Sequence, residues 1–255
     1  IKASNSKKWA VVIGVENYKK APDVEFSERD ALVTKEYFNK LLGVPNENIF
    51  YLSNYNATKT ELETLLKVTL KNRISKDDEV YFYFSGHGVP ANEGDSYLLL
   101  NDSDPANPKI SAYPIKELYE DLGTLSTSKS YAFLDTCFSG GTGRTGITET
   151  LLEGTRPGVM KVNDVSLAYN NLVIFTATDK NQLSNSYKEQ NHGLFTYYML
   201  KGIGGEADKN KDKNVSLDEL QSYIKDNVSR ESRKLGQTKE QEPILKTTID
   251  KNSSI

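Results

Sequence analysis

Short apolar runs alternate with segments of helical spacing from the first residues onward, and this rhythm limits the fold more than any other feature. Trp9-Ala10-Val11-Val12-Ile13-Gly14 is a continuous apolar run closed by glycine, as expected of a strand buried on both faces. Ala31, Leu32, Phe38, Leu41 and Leu42 then recur at helical spacing until Gly43 and Pro45 stop the segment. Residues 49–53 predict a second strand, and Thr58-Lys59-Thr60-Glu61 predicts a capping box for a helix with Leu62, Leu65, Leu66 and Leu70 on one stripe. Residues 80–84 predict a third strand and 97–100 a short one, and Pro114 opens a helix with Ile115, Leu118, Tyr119 and Leu122 on one face. Strands over 131–134 and 172–177 follow, then helices over 194–201 and 217–234, and a last edge strand over 243–247. Strands separated by helices imply parallel βαβ units, hence an α/β fold.

A chain of 255 residues is the length of one such domain, and 37% hydrophobic residues suffice for its core. The net charge of −3, with lysines scattered among acids, supplies no basic face for nucleic acid. No apolar run approaches the roughly 18 residues that span a bilayer. The single cysteine, Cys137, excludes an intrachain disulfide, a four-cysteine zinc site and a CxxC redox pair. It leaves cytoplasmic and secreted locations undistinguished, and the oligomeric state stays open as well. A chain beginning at Ile1 rather than Met reads as a processed or truncated form. Residues 139–170 hold six glycines with little periodicity and are expected to form a long loop.

Two segments share one design, an apolar strand running into small residues around one reactive side chain: Tyr81-Phe82-Tyr83-Phe84-Ser85-Gly86-His87-Gly88 and Tyr131-Ala132-Phe133-Leu134-Asp135-Thr136-Cys137-Phe138-Ser139-Gly140. In an open parallel sheet, ligands bind at the carboxyl ends of strands, which places His87 and Cys137 beside one crevice. A thiol nucleophile with an imidazole base suits acyl transfer, and the adjacent glycines let main-chain N–H groups reach a developing oxyanion.

These segments, with Trp9 to Tyr18, resemble the caspase-like cysteine peptidases, particularly the metacaspase and orthocaspase branch. The resemblance runs to Pro243 and implies the caspase–haemoglobinase fold, a mainly parallel six-stranded sheet flanked by helices, as a single domain over 1–255. It further implies that His87 is the general base, that Cys137 is the nucleophile, and that the Gly88 and Cys137 amides form the oxyanion hole. No third member of the dyad is evident. Members of that branch cleave after arginine or lysine and line the pocket with acids. Asp135, two residues before Cys137, and Asp30, in Phe26-Ser27-Glu28-Arg29-Asp30-Ala31, match the two pocket positions, and carboxylates pair readily with a guanidinium or ammonium. Ser85 and Asp179, at the ends of the third and fifth strands, are assigned to the same substrate crevice. The other histidine, His192, precedes a helix and reads as a loop or cap residue. The implied partners are peptides or proteins with Arg or Lys before the scissile bond, and Arg144, Arg156 and Lys161 in the glycine-rich stretch are candidate self-cleavage points.

The dyad chemistry requires no cofactor, but residues 208–219 suggest calcium. Asp208, Asn210, Asp212, Asn214, Ser216 and Glu219 occupy positions 1, 3, 5, 7, 9 and 12 of a calcium loop. Lys213 stands where that loop's sharp turn favours glycine, and Ser216 and Glu219 also satisfy a capping box. Two other classes compete. A catalytically silent caspase-fold module would act by binding a partner, and a flavodoxin-like nucleotide binder would need a phosphate-cradling turn that the first strand lacks.

Overall fold

The structure is a computed structural model and describes residues 5–90, 95–136, 168–179 and 182–255. In chain order the elements are β1 (Lys8–Gly14), α1 (Ser27–Lys40), β2 (Ile49–Ser53), α2 (Lys59–Thr64), α3 (Lys71–Arg73), β3 (Glu79–Ser85), β4 (Gly88–Pro90) and β5 (Ser96–Leu98). They continue with α4 (Pro108–Ser111), β6 (Tyr113–Pro114), α5 (Ile115–Gly123), β7 (Lys129–Asp135), β8 (Leu172–Thr176), β9 (Ser186–Tyr187), β10 (His192–Gly193), α6 (Leu194–Lys201), α7 (Leu217–Lys234) and β11 (Ile244–Thr247).

One six-stranded sheet has the order β11-β8-β7-β3-β1-β2. The strands β2, β1, β3, β7 and β8 run parallel, and β11 closes the edge antiparallel to β8. This is the mainly parallel, helix-flanked sheet expected from the alternating pattern. Each buried strand divides its apolar run between two faces because successive side chains alternate. Ala10, Val12, Tyr81, Tyr83, Phe133 and Phe175 pack with α1, α6 and α7. Val11, Ile13, Phe82, Phe84, Leu134 and Ile174 pack with the helices over 59–73 and α5. Burial on both faces explains why these strands read as continuous rather than alternating hydrophobic sequence. Aromatic rings tie neighbouring strands, with Tyr81 stacked on Tyr131 at 4.9 Å and Phe133 on Phe175 at 5.2 Å between centroids.

Local signals differ from the sequence expectation at two helix starts. Thr58 accepts a hydrogen bond from the Glu61 N–H and so caps α2, but the reciprocal half of the predicted box is formed only at α7, where Ser216 and Glu219 cap each other's backbone. Pro114 lies outside α5 rather than starting it, being paired with Tyr97 in a three-stranded antiparallel sheet.

The sheet's register sets up the crevice. Gly14, Ser85 and Asp135 stand abreast at the carboxyl ends of β1, β3 and β7. The chain leaves β1 toward β2 on one side and later returns to β3 on the other, which makes the β1/β3 boundary the topological switch point. Gly14 allows α1 to close on this end: a Cβ there would lie 2.4 Å from the Ser27 carbonyl oxygen and 2.6 Å from the Ala31 Cβ. Any side chain at residue 14 would therefore push Ser27 and Asp30 away from the strand ends.

Candidate active site

His87 follows β3 and is nearly buried. Its Nε2 lies 2.9 Å from the Pro22 carbonyl oxygen. A carbonyl only accepts, so Nε2 carries the proton and the basic lone pair of the neutral ring belongs to Nδ1. The His87 backbone N–H donates to the Tyr18 hydroxyl at 2.7 Å, and the two rings lie 5.0 Å apart. A Cβ at Gly86 would come within 2.5 Å of that hydroxyl, so glycine at 86 is what lets Tyr18 reach the histidine. Gly88 pairs with Leu98 in the β4–β5 ladder, and the Leu99 N–H donates to the His87 carbonyl. The imidazole is thus held by its ring nitrogen and by both of its backbone polar groups.

The two acids assigned to the pocket converge on one place, the first turn of α6. Asp30 is fully buried; its Oδ1 lies 2.6 Å from His192 Nδ1 and its Oδ2 accepts from the Gly193 N–H at 2.9 Å. Asp135 accepts from the Ser184 hydroxyl at 2.6 Å, from the Thr196 N–H at 3.2 Å and from the Thr196 hydroxyl. Helix α6 has no side-chain cap of its own at Gly193. At this helix start the Gly193 and Thr196 N–H groups are met by carboxylates from α1 and β7, which the positive end of the helix favours, and the Leu194 N–H by the Asn185 carbonyl. Ser85 joins the group by donating to the Ser27 hydroxyl at 3.1 Å. His192, read from sequence as a loop or cap residue, is instead a partner of Asp30.

The surroundings are acidic. Burial pushes the Glu16 carboxyl above the usual range, the Glu28 N–H it accepts pulls it back, and the charges of Glu28, Asp30 and Asp23 push it up further. Asp179, by contrast, is exposed beyond β8, with its N–H donating to the Gln182 side chain; it is not brought into contact with Asp30 or Asp135 by any of those bonds. Tyr18, Pro22, Ser184, Thr196 and Gln241 carry parts of this site that the sequence did not single out. Pro22 acts through a main-chain oxygen, which no side-chain pattern reveals. Gln241 is buried, donates to the Ala177 carbonyl and accepts from Asn185, and so braces the segment that carries Ser184. Cys137 with its amide, Arg144, Arg156, Lys161 and the glycine-rich stretch up to residue 167 lie outside the described residues.

Residues 208–219 form a turn that leads into α7. Asp208 accepts from the N–H groups of Asp212 and Lys213, and Asp212 accepts from that of Asn214. Lys213 takes φ 70°, the left-handed conformation for which glycine was expected. Glu219 accepts from the N–H groups of Lys209, Asn210 and Ser216 and from the Ser216 hydroxyl, and Ser216 above all holds its carboxyl below the usual range. Among the described residues no three His, Cys, Asp or Glu side chains gather closely enough to hold a metal ion. No helix among them is long and apolar enough to cross a membrane.

A mainly parallel sheet with a histidine fixed at the end of a central strand, beside a strand leading to the only cysteine, defines the caspase fold class. Solved structures with this fold include the following two. Caspase-1 from Spodoptera frugiperda superposes with a TM-score of 0.65 at 13% identity, covering 98% of this chain and 89% of that one. Protein GSU0716 from Geobacter sulfurreducens superposes with a TM-score of 0.62 at 18% identity, covering 95% and 94%. Residues 7–253 match the caspase domain, peptidase family C14, and the chain belongs to that family. A probable protease from a Desulfuromonadales bacterium is 26% identical over 149 residues, 51% of this chain and 18% of the relative. The matched region is therefore a small part of that relative's length.

Proposed function

We propose that this chain is a cysteine endopeptidase that cleaves after arginine or lysine, with His87 and Cys137 as its dyad. The observation that carries the reading is the fixed orientation of His87: with Nε2–H bound to the Pro22 carbonyl, Nδ1 is the atom that takes a proton. Nδ1 accepts the thiol proton, the Cys137 sulfur attacks the scissile carbonyl carbon, and the tetrahedral oxyanion is received by the Gly88 and Cys137 amides. As that intermediate collapses, the imidazolium returns its proton to the leaving amine. Water then attacks the acyl-enzyme with His87 as base and frees the carboxylic acid and the thiol. The Pro22 oxygen stabilises the imidazolium as a third member of the machinery.

The preference for a basic residue before the scissile bond is supported by the meeting of Asp30 and Asp135 at one helix start and by the acids around Glu16. Fluorogenic peptides with Arg, Lys or Asp before the bond test it: Arg and Lys turn over, Asp does not, and C137A is inert. Turnover of the Asp peptide alone overturns the pocket assignment. No turnover at all, with an unreactive thiol, leaves the binding-module reading in its place. Self-processing belongs to the same proposal, with Arg144, Arg156 or Lys161 as cut sites; the intact mass drops on incubation for the parent chain and not for C137A. Calcium at the 208–219 loop, through Asp208, Asn210, Asp212, Asn214, Ser216 and Glu219, is proposed from the sequence spacing and would require the loop's acids to draw together from their present hydrogen bonds. An ion there would take the place of the Glu219 capping contacts, so E219Q is expected to abolish any calcium response of the peptidase.

A further inference from the structure

We propose that His192 is a positioning residue of the pocket for the basic side chain, acting through Asp30. The inference rests on the reading of Asp30 as a pocket acid. Burying a carboxylate is costly unless donors hold it, and Asp30 is fully buried. Two donors come from adjacent residues of one short strand: the His192 ring at 2.6 Å on Oδ1 and the Gly193 N–H at 2.9 Å on Oδ2. A carboxylate only accepts, so His192 donates from Nδ1. Donors on both oxygens fix its plane.

The imidazole is itself fixed. Its strand pairs His192 with Tyr187, and its ring lies 6.2 Å from that of Tyr197. The ring retains 12% side-chain exposure while Asp30 has none. A cation entering the crevice therefore meets a carboxylate already oriented, and the cost of orienting it is not taken from substrate binding. Replacing the ring with a methyl group removes the His192 donor from Oδ1, and the loss falls on binding of the basic residue rather than on the thiol chemistry at His87.

Steady-state kinetics on an arginine peptide test this with H192A, H192N, D30N and the D30N/H192A double variant. Asparagine places an N–H donor near the position of Nδ1. The expected result is a KM about ten-fold higher for H192A, the size of one lost hydrogen bond to a charged group, with kcat within about two-fold. H192N restores KM, and the double variant is no worse than D30N alone because both changes remove one interaction. An unchanged KM in H192A, alongside a raised KM in D30N, overturns the inference and leaves the pocket reading standing. Equal losses of kcat and thermal stability in H192A and H192N also overturn it, marking the ring as a packing element only. Failure of the unsubstituted chain to cleave Arg or Lys peptides overturns the pocket reading and this inference with it.

Discussion

Tyr18 and Gly86 form one device. The hydroxyl accepts the His87 N–H at 2.7 Å and donates to the Leu99 carbonyl at 3.3 Å, in the space that a Cβ on residue 86 would fill. Phenylalanine at 18 keeps the ring against the imidazole but strips the N–H of its acceptor. Y18F is expected to lose about 1–3 kcal/mol of stability in urea unfolding and to lower kcat more than it changes KM; a variant as stable and as fast as the parent removes Tyr18 from the site. His87 could be picked out beforehand because a histidine in a glycine turn after an apolar strand is rare chemistry in a conspicuous place. Tyr18 could not, since a tyrosine four residues past a strand is an ordinary residue until the turn at 86 is seen to press against it.

Helix ends divide by how far away their caps lie. Thr58 and Ser216 cap α2 and α7 from within three residues, and both are readable as short motifs. At the start of α6 the Gly193 and Thr196 N–H groups are capped by Asp30 and Asp135, at sequence separations of 163 and 61 residues, which no local pattern contains. The same convergence crowds acids at the end of β1. Because the folded pKa of Glu16 is raised by burial, with like charges adding to it, its stabilising contribution is complete below the ordinary glutamate value and is lost as pH rises through the raised folded value. E16Q keeps an acceptor for the Glu28 N–H without the charge. It is expected to match the parent's unfolding midpoint near pH 4 and exceed it at pH 7, and a difference that shrinks with rising pH refutes this account.

Across the whole molecule, Gln241 links three layers. Its backbone N–H donates to Ser232 on α7, its side chain donates to the Ala177 carbonyl beyond β8, and its Oε1 accepts from Asn185 beside Ser184, the donor to Asp135. Q241L leaves the Asn185 N–H and the Ala177 carbonyl without these partners and is expected to cost about 2–4 kcal/mol in denaturant unfolding, roughly 1–2 for each orphaned group. Catalytic efficiency on arginine peptides falls with it, and an unchanged efficiency separates this brace from the pocket. The order of the main-sheet strands and of helices α1, α2, α5, α6 and α7, the turn carrying His87 and the α7 cap were legible in the chain itself, because periodicity and short-range capping are properties of neighbouring residues. The partner of His192, the carbonyl that orients His87 and the joint capping of α6 by two remote acids were decided only when the sheet aligned its carboxyl ends, since each depends on groups that chain connectivity keeps apart and packing alone brings within hydrogen-bonding distance.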